Sequence, residues 1–353
     1  MSDAPDRGSA PQGRARRRLA AVLYGGTAVA ALAAPVIKRR LARRLPEPVA
    51  ELATMGGLIG VGWTTIIAAE RLRPFKQQWT RSHGDVTTDA LDVASSAVAA
   101  RVGGALLSLP VRNVIAGARR GRGGGPLARL PLPVRVIVTI HAVDLYHSLV
   151  HRLAHEWGPL WRVHAVHHSA PRLYWLNATR FHPIELALEG TAEAILLALL
   201  GADADTVLAH NVVRGIYGQI QHGNVDVDSG PLNAVLATPE RHRWHHSTVV
   251  AEGNTNYGAV VATWDRLDGH GVAARRAAVR RRDRRGGRPG LPPGVDGSWR
   301  RRSSAVERAA RHAVAVVRTP QGPGTSWTFW PVPLRLLKHR ADARTESHVW
   351  SCW

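Results

Sequence analysis

One cysteine stands in the 353 residues, Cys352. A single thiol excludes an intramolecular disulfide and any thiolate metal cluster. The chain also lacks a Gly-x-Gly-x-x-Gly fingerprint, a phosphate-cradling loop and a haem attachment motif. It therefore carries no nucleotide or haem redox group of its own, and any redox step must draw on a separate electron carrier. A His-Glu-x-x-His signature, which gives a zinc hydrolase its carboxylate base, is absent as well. Acidic residues are few, with 26 Asp and Glu against 47 Lys and Arg, for a net charge of +21. Such an excess first suggests nucleic acid. Its distribution argues otherwise. Residues 270–353 hold 18 Lys and Arg and 5 Asp and Glu, a local +13, which leaves +8 for the remainder. That remainder contains long apolar segments, where basic loops reflect membrane orientation. No nucleic-acid partner is expected.

What the chain has is histidine, in ordered groups between residues 147 and 246. The first is His151-Arg-Leu-Ala-His155. The second is His164-Ala-Val-His167-His168, and the third is His242-Arg-Trp-His245-His246. His222 stands between the second and third. Residues four apart lie one turn apart on a helix face, and those three apart are close neighbours. Each group therefore aims its imidazoles to one side. Nine imidazoles exceed the three protein ligands of a typical catalytic zinc, so two adjacent metals are the simpler account. Imidazole suits iron, zinc, copper and nickel, and ligand type alone does not choose among them.

The order His-x-x-x-His, His-x-x-His-His, His-x-x-His-His resembles the fatty acid hydroxylase and sterol desaturase superfamily. Flanking segments carry the resemblance further: Leu160-Trp161-Arg162-Val163-His164, Arg180-Phe181-His182-Pro183, Gln221-His222-Gly223-Asn224-Val225, Thr238-Pro239-Glu240-Arg241-His242, Asn256-Tyr257-Gly258 and Trp264-Asp265-Arg266-Leu267. It extends from about residue 70 to 267. The resemblance implies an all-α, integral-membrane helical bundle with a cytosolic histidine-rich di-metal cap. It implies a non-haem di-iron centre that uses O₂ to hydroxylate or desaturate a lipid, with two iron ions as cofactor and zinc as a substitute in preparations. Carried onto matching positions, it gives His151, His155, His164, His167, His168, His222, His242, His245 and His246 as ligands. His182 and His147 are candidates for further ligands or for partners of ligands. Asp144, on the same helical stripe as His147, His151 and His155, is placed to accept a ligand's ring N–H. Asn256 and Asp265 match family positions and are expected to orient histidines. An external ferredoxin- or cytochrome-type donor follows from the missing redox motifs, and basic Arg152, Arg162, Arg241 and Arg243 are expected to dock it.

Along the chain, residues 1–18 read as a disordered basic terminus. Residues 19–116 read as transmembrane helices, with apolar runs at Leu19–Ile37, Leu52–Ala69 and, more weakly, Leu91–Ile115. Residues 130–267 form the catalytic domain. Glu185, Glu189 and Glu193 recur at four-residue steps in an otherwise apolar helix, facing either a polar interior or one wet interface. The site is expected on the cytosolic face of the inner membrane. After Leu267 the family pattern stops, and residues 275–288 hold eight arginines in fourteen positions. Residues 268–353 read as a basic tail of low order. It is either an out-of-frame product of a GC-rich gene or an arm for anionic lipid headgroups. A zinc-dependent membrane hydrolase and a non-catalytic metal-binding membrane protein are the competing functions.

Overall fold

The computed structural model describes residues 10–102, 109–119, 125 and 127–271. Among them the fold is helical: α1 Ala10–Leu41, α2 Glu47–Leu72, α3 Val86–Val102, α4 Leu109–Arg119, α5 Leu132–Glu156, α6 Gly158–His164, α7 Pro183–Leu200, α8 Ala204–His222, α9 Pro239–His245, α10 Val250–Gly253 and α11 Thr263–Leu267. Two of these, α1 over Gln12–Leu41 and α2, are long and apolar enough to cross a membrane. Both extend well past the expected runs. The third run is divided between α3 and α4, and residues 103–108 lie outside the described residues. Segments α5 and α7 are long enough to span, but both carry ionisable residues that belong to the site.

Helices α1, α2 and α8 pack side by side, and their shared core joins Leu23, Ile66, Leu208, Val212 and Ile216. The α2–α8 approach is close because glycines sit at it. A Cβ on Gly215 would lie 2.4 Å from Ile59 Cδ1, and one on Gly62 would lie 2.8 Å from Ile216 Cγ1. Small residues of this kind let helices associate in lipid, where no hydrophobic force drives them together. Trp63 Nε1 donates to the Gly215 carbonyl at 2.7 Å across the same contact.

Helix α1 corrects one expectation. Residues 10–18 are helical rather than disordered, and residues 1–9 lie outside the described part. The cause is distant acid. Arg16 pairs with Asp226 at 2.9 Å and Arg17 with Asp228 at 2.9 Å, while Tyr24 Oη meets Ser229 Oγ at 2.8 Å. At the other end of α1, Arg39 pairs with Asp205 at 2.6 Å. Helix α1 thus lies along α8 and is tied at both ends.

The end of α2 is fixed to the end of α8. Glu70 Oε1 accepts from the Trp175 and Asn224 amides, both at 2.8 Å. The Asn224 side chain accepts from the Lys76 amide and donates to its carbonyl. Acidic residues at the start of α3 hold the 172–180 segment: Asp85 pairs with Arg172 at 2.6 Å, and Asp89 with Arg180 at 2.9 Å. The C-terminal ends of α5 and α8, the start of α7 and the short α9 consequently meet in one place. The expected basic tail lies outside the described residues beyond Gly271.

Candidate metal centre

The histidines arrive on the ends of helices, two of them long and the others short. Thr238 caps α9 by accepting from the Arg241 amide, and Pro239 begins the helix, where its missing N–H costs nothing. His164 ends α6, and a 3-10 turn carries His167 and His168. His151 and His155 occupy the last turns of α5, and His222 ends α8.

The nine imidazoles expected as ligands come together as two sets. One holds His151, His155, His164, His168 and His245; the other holds His167, His222, His242 and His246. Within each set one ring nitrogen per residue lies within 4.8 Å of all the others. The sets adjoin, with the His168 and His246 rings stacked at 4.4 Å between centroids.

The orientation of the rings decides what the sets can bind. His151 Nδ1 meets the Tyr257 carbonyl at 2.8 Å, and His245 Nδ1 meets the Thr255 carbonyl at 2.9 Å. His167 Nδ1 meets the Arg180 carbonyl at 3.3 Å. His164 Nδ1 meets Glu185 Oε1 at 2.7 Å, His222 Nδ1 meets Asn177 Oδ1 at 3.0 Å, and His155 Nδ1 meets Asn254 Oδ1 at 3.2 Å. A carbonyl or carboxylate can only accept, so Nδ1 carries the proton and Nε2 keeps its lone pair. Those Nε2 atoms point inward and converge. His155 and His164 each approach His168 Nε2 at 3.1 Å, and His222 and His246 approach His242 Nε2 at 2.9 and 3.0 Å. His151 Nε2 and His245 Nε2 are buried with no hydrogen-bond partner. The lone pairs of these six rings cannot satisfy one another by hydrogen bonding, whereas a cation at the focus accepts them. Burial, and after it the neighbouring imidazoles, holds His164, His168, His245, His242 and His246 well below the ordinary histidine range, so the rings stay neutral and available.

The remaining candidates fall elsewhere. His147 adjoins His151, with ring centroids 5.2 Å apart, and meets Glu189 at 3.6 Å. His182 lies outside both sets and caps α7, its Nδ1 accepting from the Ile184 amide. Asp144 touches no ligand ring. Its Oδ2 accepts from the Val260 and Val261 amides at 2.8 and 2.5 Å, which ties the 257–261 loop to α5. Asp265 grips the same loop through the Tyr257 and Gly258 amides, and burial pushes its carboxyl up to about 6. Because Tyr257 supplies the carbonyl that orients His151, both aspartates reach that imidazole through the backbone. Asn256 sits at φ 58° and donates to the Arg241 carbonyl, joining the loop to α9. The orienting residues Glu185, Asn177 and Asn254 escaped the sequence reading; only Glu185 left a trace, as the first of three carboxylates on α7.

A family model for fatty acid hydroxylase matches residues 136–270, a span that contains both histidine sets. Over that span the chain is similar to a fatty acid hydroxylase domain. The match runs three residues past Leu267, where the sequence pattern had seemed to stop. Ornithine lipid hydroxylase OlsE of Rhizobium tropici is 36% identical over 204 residues, covering 57% of this chain and 61% of that protein. Alkylglycerol monooxygenase of Caenorhabditis elegans is 31% identical over 127 residues, 35% of this chain and 24% of that protein. Methylsterol monooxygenase 1 of Rattus norvegicus is 29% identical over 131 residues, 36% of this chain and 43% of that protein. The aligned stretch thus spans less than two thirds of each of these relatives. No solved structure gives a significant match.

A cavity of about 760 Å³ lies between α2 and α3, which precede the matched span, and α7 and α8 within it. His151, His167, His222 and His242 stand at one end, and Leu197, Ala198 and Val207 line the other.

Proposed function

We propose that this protein is a membrane-bound non-haem di-iron oxygenase that hydroxylates or desaturates a C–H bond of a lipid. The observation that carries the proposal is the pair of converging, neutral imidazole sets at the head of a largely apolar cavity. The names of the three relatives, a hydroxylase and two monooxygenases, support lipid hydroxylation in particular.

His151, His155, His164, His168 and His245 would hold one iron, and His167, His222, His242 and His246 the other. When bound, the iron pair supplies the O₂ chemistry, whose balance for hydroxylation is R–H + O₂ + 2e⁻ + 2H⁺ → R–OH + H₂O. Glu185, Asn177, Asn254 and the Tyr257, Thr255 and Arg180 carbonyls fix the ligand rings before metal arrives, so binding needs little reorganisation. The apolar cavity walls orient the lipid and exclude water. Electrons come from an external ferredoxin- or cytochrome-type donor. Arg162 is exposed and suits docking an acidic carrier, whereas Arg152 is half-exposed and already paired with Glu156 at 2.9 Å. Arg241 and Arg243 do not suit docking, because Arg241 donates to the Asn233 carbonyl and Arg243 stacks on the Phe75 ring at 3.8 Å. Helices α1 and α2 would cross the inner membrane and leave the histidine sets on its cytosolic side.

The test is metal content of the full chain purified in detergent, with iron and zinc quantified together. Two irons per chain, lost in His167→Ala and His245→Ala, are expected, together with O₂ consumption when a reductant and lipid are supplied. Two zincs that anaerobic ferrous iron does not replace, with no O₂ consumption, would return the protein to the hydrolase or metal-binding readings.

A further inference from the structure

Below the histidines the largely apolar cavity carries a group of polar side chains. Glu189, Glu193, Asn211, Arg214 and Gln219 line it. Arg214 is already committed, to Glu193 at 3.5 Å and to Asp144 at 3.8 Å. His210 meets Glu193 at 3.2 Å. Glu189 reaches His147 Nδ1 only at 3.6 Å, beyond hydrogen-bond range. Gln219 is 4% exposed, and its side-chain carbonyl has no hydrogen-bond partner. Around this point there are three carboxylates, Asp144, Glu189 and Glu193, and a single guanidinium. Two of the acceptors here, Gln219 Oε1 and Asp144 Oδ1, are buried without a hydrogen-bond donor. A buried acceptor without a donor costs about 1–3 kcal/mol, so the cavity calls for a ligand with several donors and a positive charge. A primary ammonium offers three donors and no acceptor.

We propose that Glu189 and Gln219 form the recognition site for a primary ammonium carried by the lipid substrate. This rests on the oxygenase reading above and names the substrate class for it. Glu189 is separated from His151 by the ring of His147 alone, whose centroid is 5.2 Å from that of His151. A lipid held there by its ammonium places headgroup carbons at the imidazole sets. Its acyl chains run past Arg214 toward Leu197 and Val207. The bond presented for oxidation therefore lies near the headgroup and not far along an acyl tail. The carboxylate supplies charge and the amide oxygen direction, and both act on binding without touching the metal.

The test uses the full chain in detergent and two probes that differ at one nitrogen, N-(4-aminobutyl)dodecanamide and its N-acetyl derivative. Calorimetric titration is expected to show the free ammonium bound about tenfold or more tightly than the acetylated probe, the difference that one charge-assisted hydrogen bond makes. Glu189→Gln and Gln219→Leu should each shrink that preference, mainly by weakening the ammonium probe. Equal affinity of the wild-type protein for both probes would overturn the site, and this comparison needs no variant to fold. Retention of the full preference in both variants would overturn the residue assignment. Failure of the oxygenase reading would look different: the preference would persist in a protein that binds no iron and consumes no O₂.

Discussion

Replacing Glu185 by leucine should weaken metal binding at one histidine set and spare the other. Glu185 Oε1 is the acceptor for His164 Nδ1 at 2.7 Å, and His164 belongs to the five-histidine set alone. With the carboxylate gone, the His164 ring loses its orienting partner, and its Nε2 no longer points at the focus by default. A hydrogen bond to a charged group contributes about 1.5–3 kcal/mol, which corresponds to roughly 10–100-fold in affinity, the range found when a ligand's hydrogen-bond partner is removed elsewhere. The four-histidine set keeps its own clamps, Asn177 on His222 and the Arg180 carbonyl on His167. The assay is chelator competition on the purified protein loaded with ferrous iron, read as metal per chain against chelator concentration. The wild-type protein should release both ions late. Glu185→Leu should release one ion at 10–100-fold lower chelator and the second near the wild-type position. Glu185→Gln retains an acceptor oxygen and should fall between the two. Simultaneous early release of both ions from Glu185→Leu would refute the division into two sets. Unchanged release of both would refute the role given to Glu185.

Other consequences can be checked more briefly. In chelator-treated protein the clustered histidines have folded-state values below their unfolded value of about 6.5, so the unfolded chain binds more protons. Stability is then full above that value and falls as pH drops below it, by up to about 1.4 kcal/mol per pH unit for each histidine that titrates. Melting temperature measured from pH 8 to 5.5 should decline steeply below 6.5, and a flat profile would contradict the burial of neutral rings. Gly215→Ala places a methyl group against Ile59 Cδ1, 2.4 Å from the ideal Cβ position, and should cost about 1–3 kcal/mol through overpacking. Adding Ile59→Ala should recover part of that loss in a detergent melt; no change in the single variant would show that α2 and α8 are not in tight contact. Asp85→Leu strands the buried Arg172 guanidinium and should cost about 3–5 kcal/mol. A variant that melts with the wild type would deny the pair its part in holding the 172–180 segment.

The histidines were legible in the sequence because ligand chemistry demands one residue type at helical spacing. Their partners were not, for a plain reason. Three of the six orienting acceptors are backbone carbonyls, of Tyr257, Thr255 and Arg180, and every residue has one. Asp144 shows where reasoning from one helix stops. Its place on the histidine stripe correctly turned it inward, yet its partners are amides 116 and 117 residues away, which no local pattern reveals. The same limit applies to Arg16 and Arg17. Read locally they were part of a charged, unstructured end, but their acids lie far along the chain at Asp226 and Asp228. Arg241 and Arg243, expected as docking charges, meet the Asn233 carbonyl and the Phe75 ring, contacts that the sequence does not reveal.

The two His-x-x-His-His motifs divide between the sets in mirror fashion. His164 and His168 go to the five-histidine set and His167 to the other; His242 and His246 go to the four-histidine set and His245 to the first. On a helical turn the first and last histidines, four apart, reach one focus, while the middle one is rotated by about 100° from its neighbour and reaches the next. Each motif therefore bridges both foci, and neither focus can form without the other's segments in place. The sets are nonetheless unequal. Three of the four residues in the smaller set, His167, His222 and His242, line the cavity, against His151 alone from the larger. The set with one imidazole fewer is thus the one turned toward the cavity, the space in which a lipid would lie.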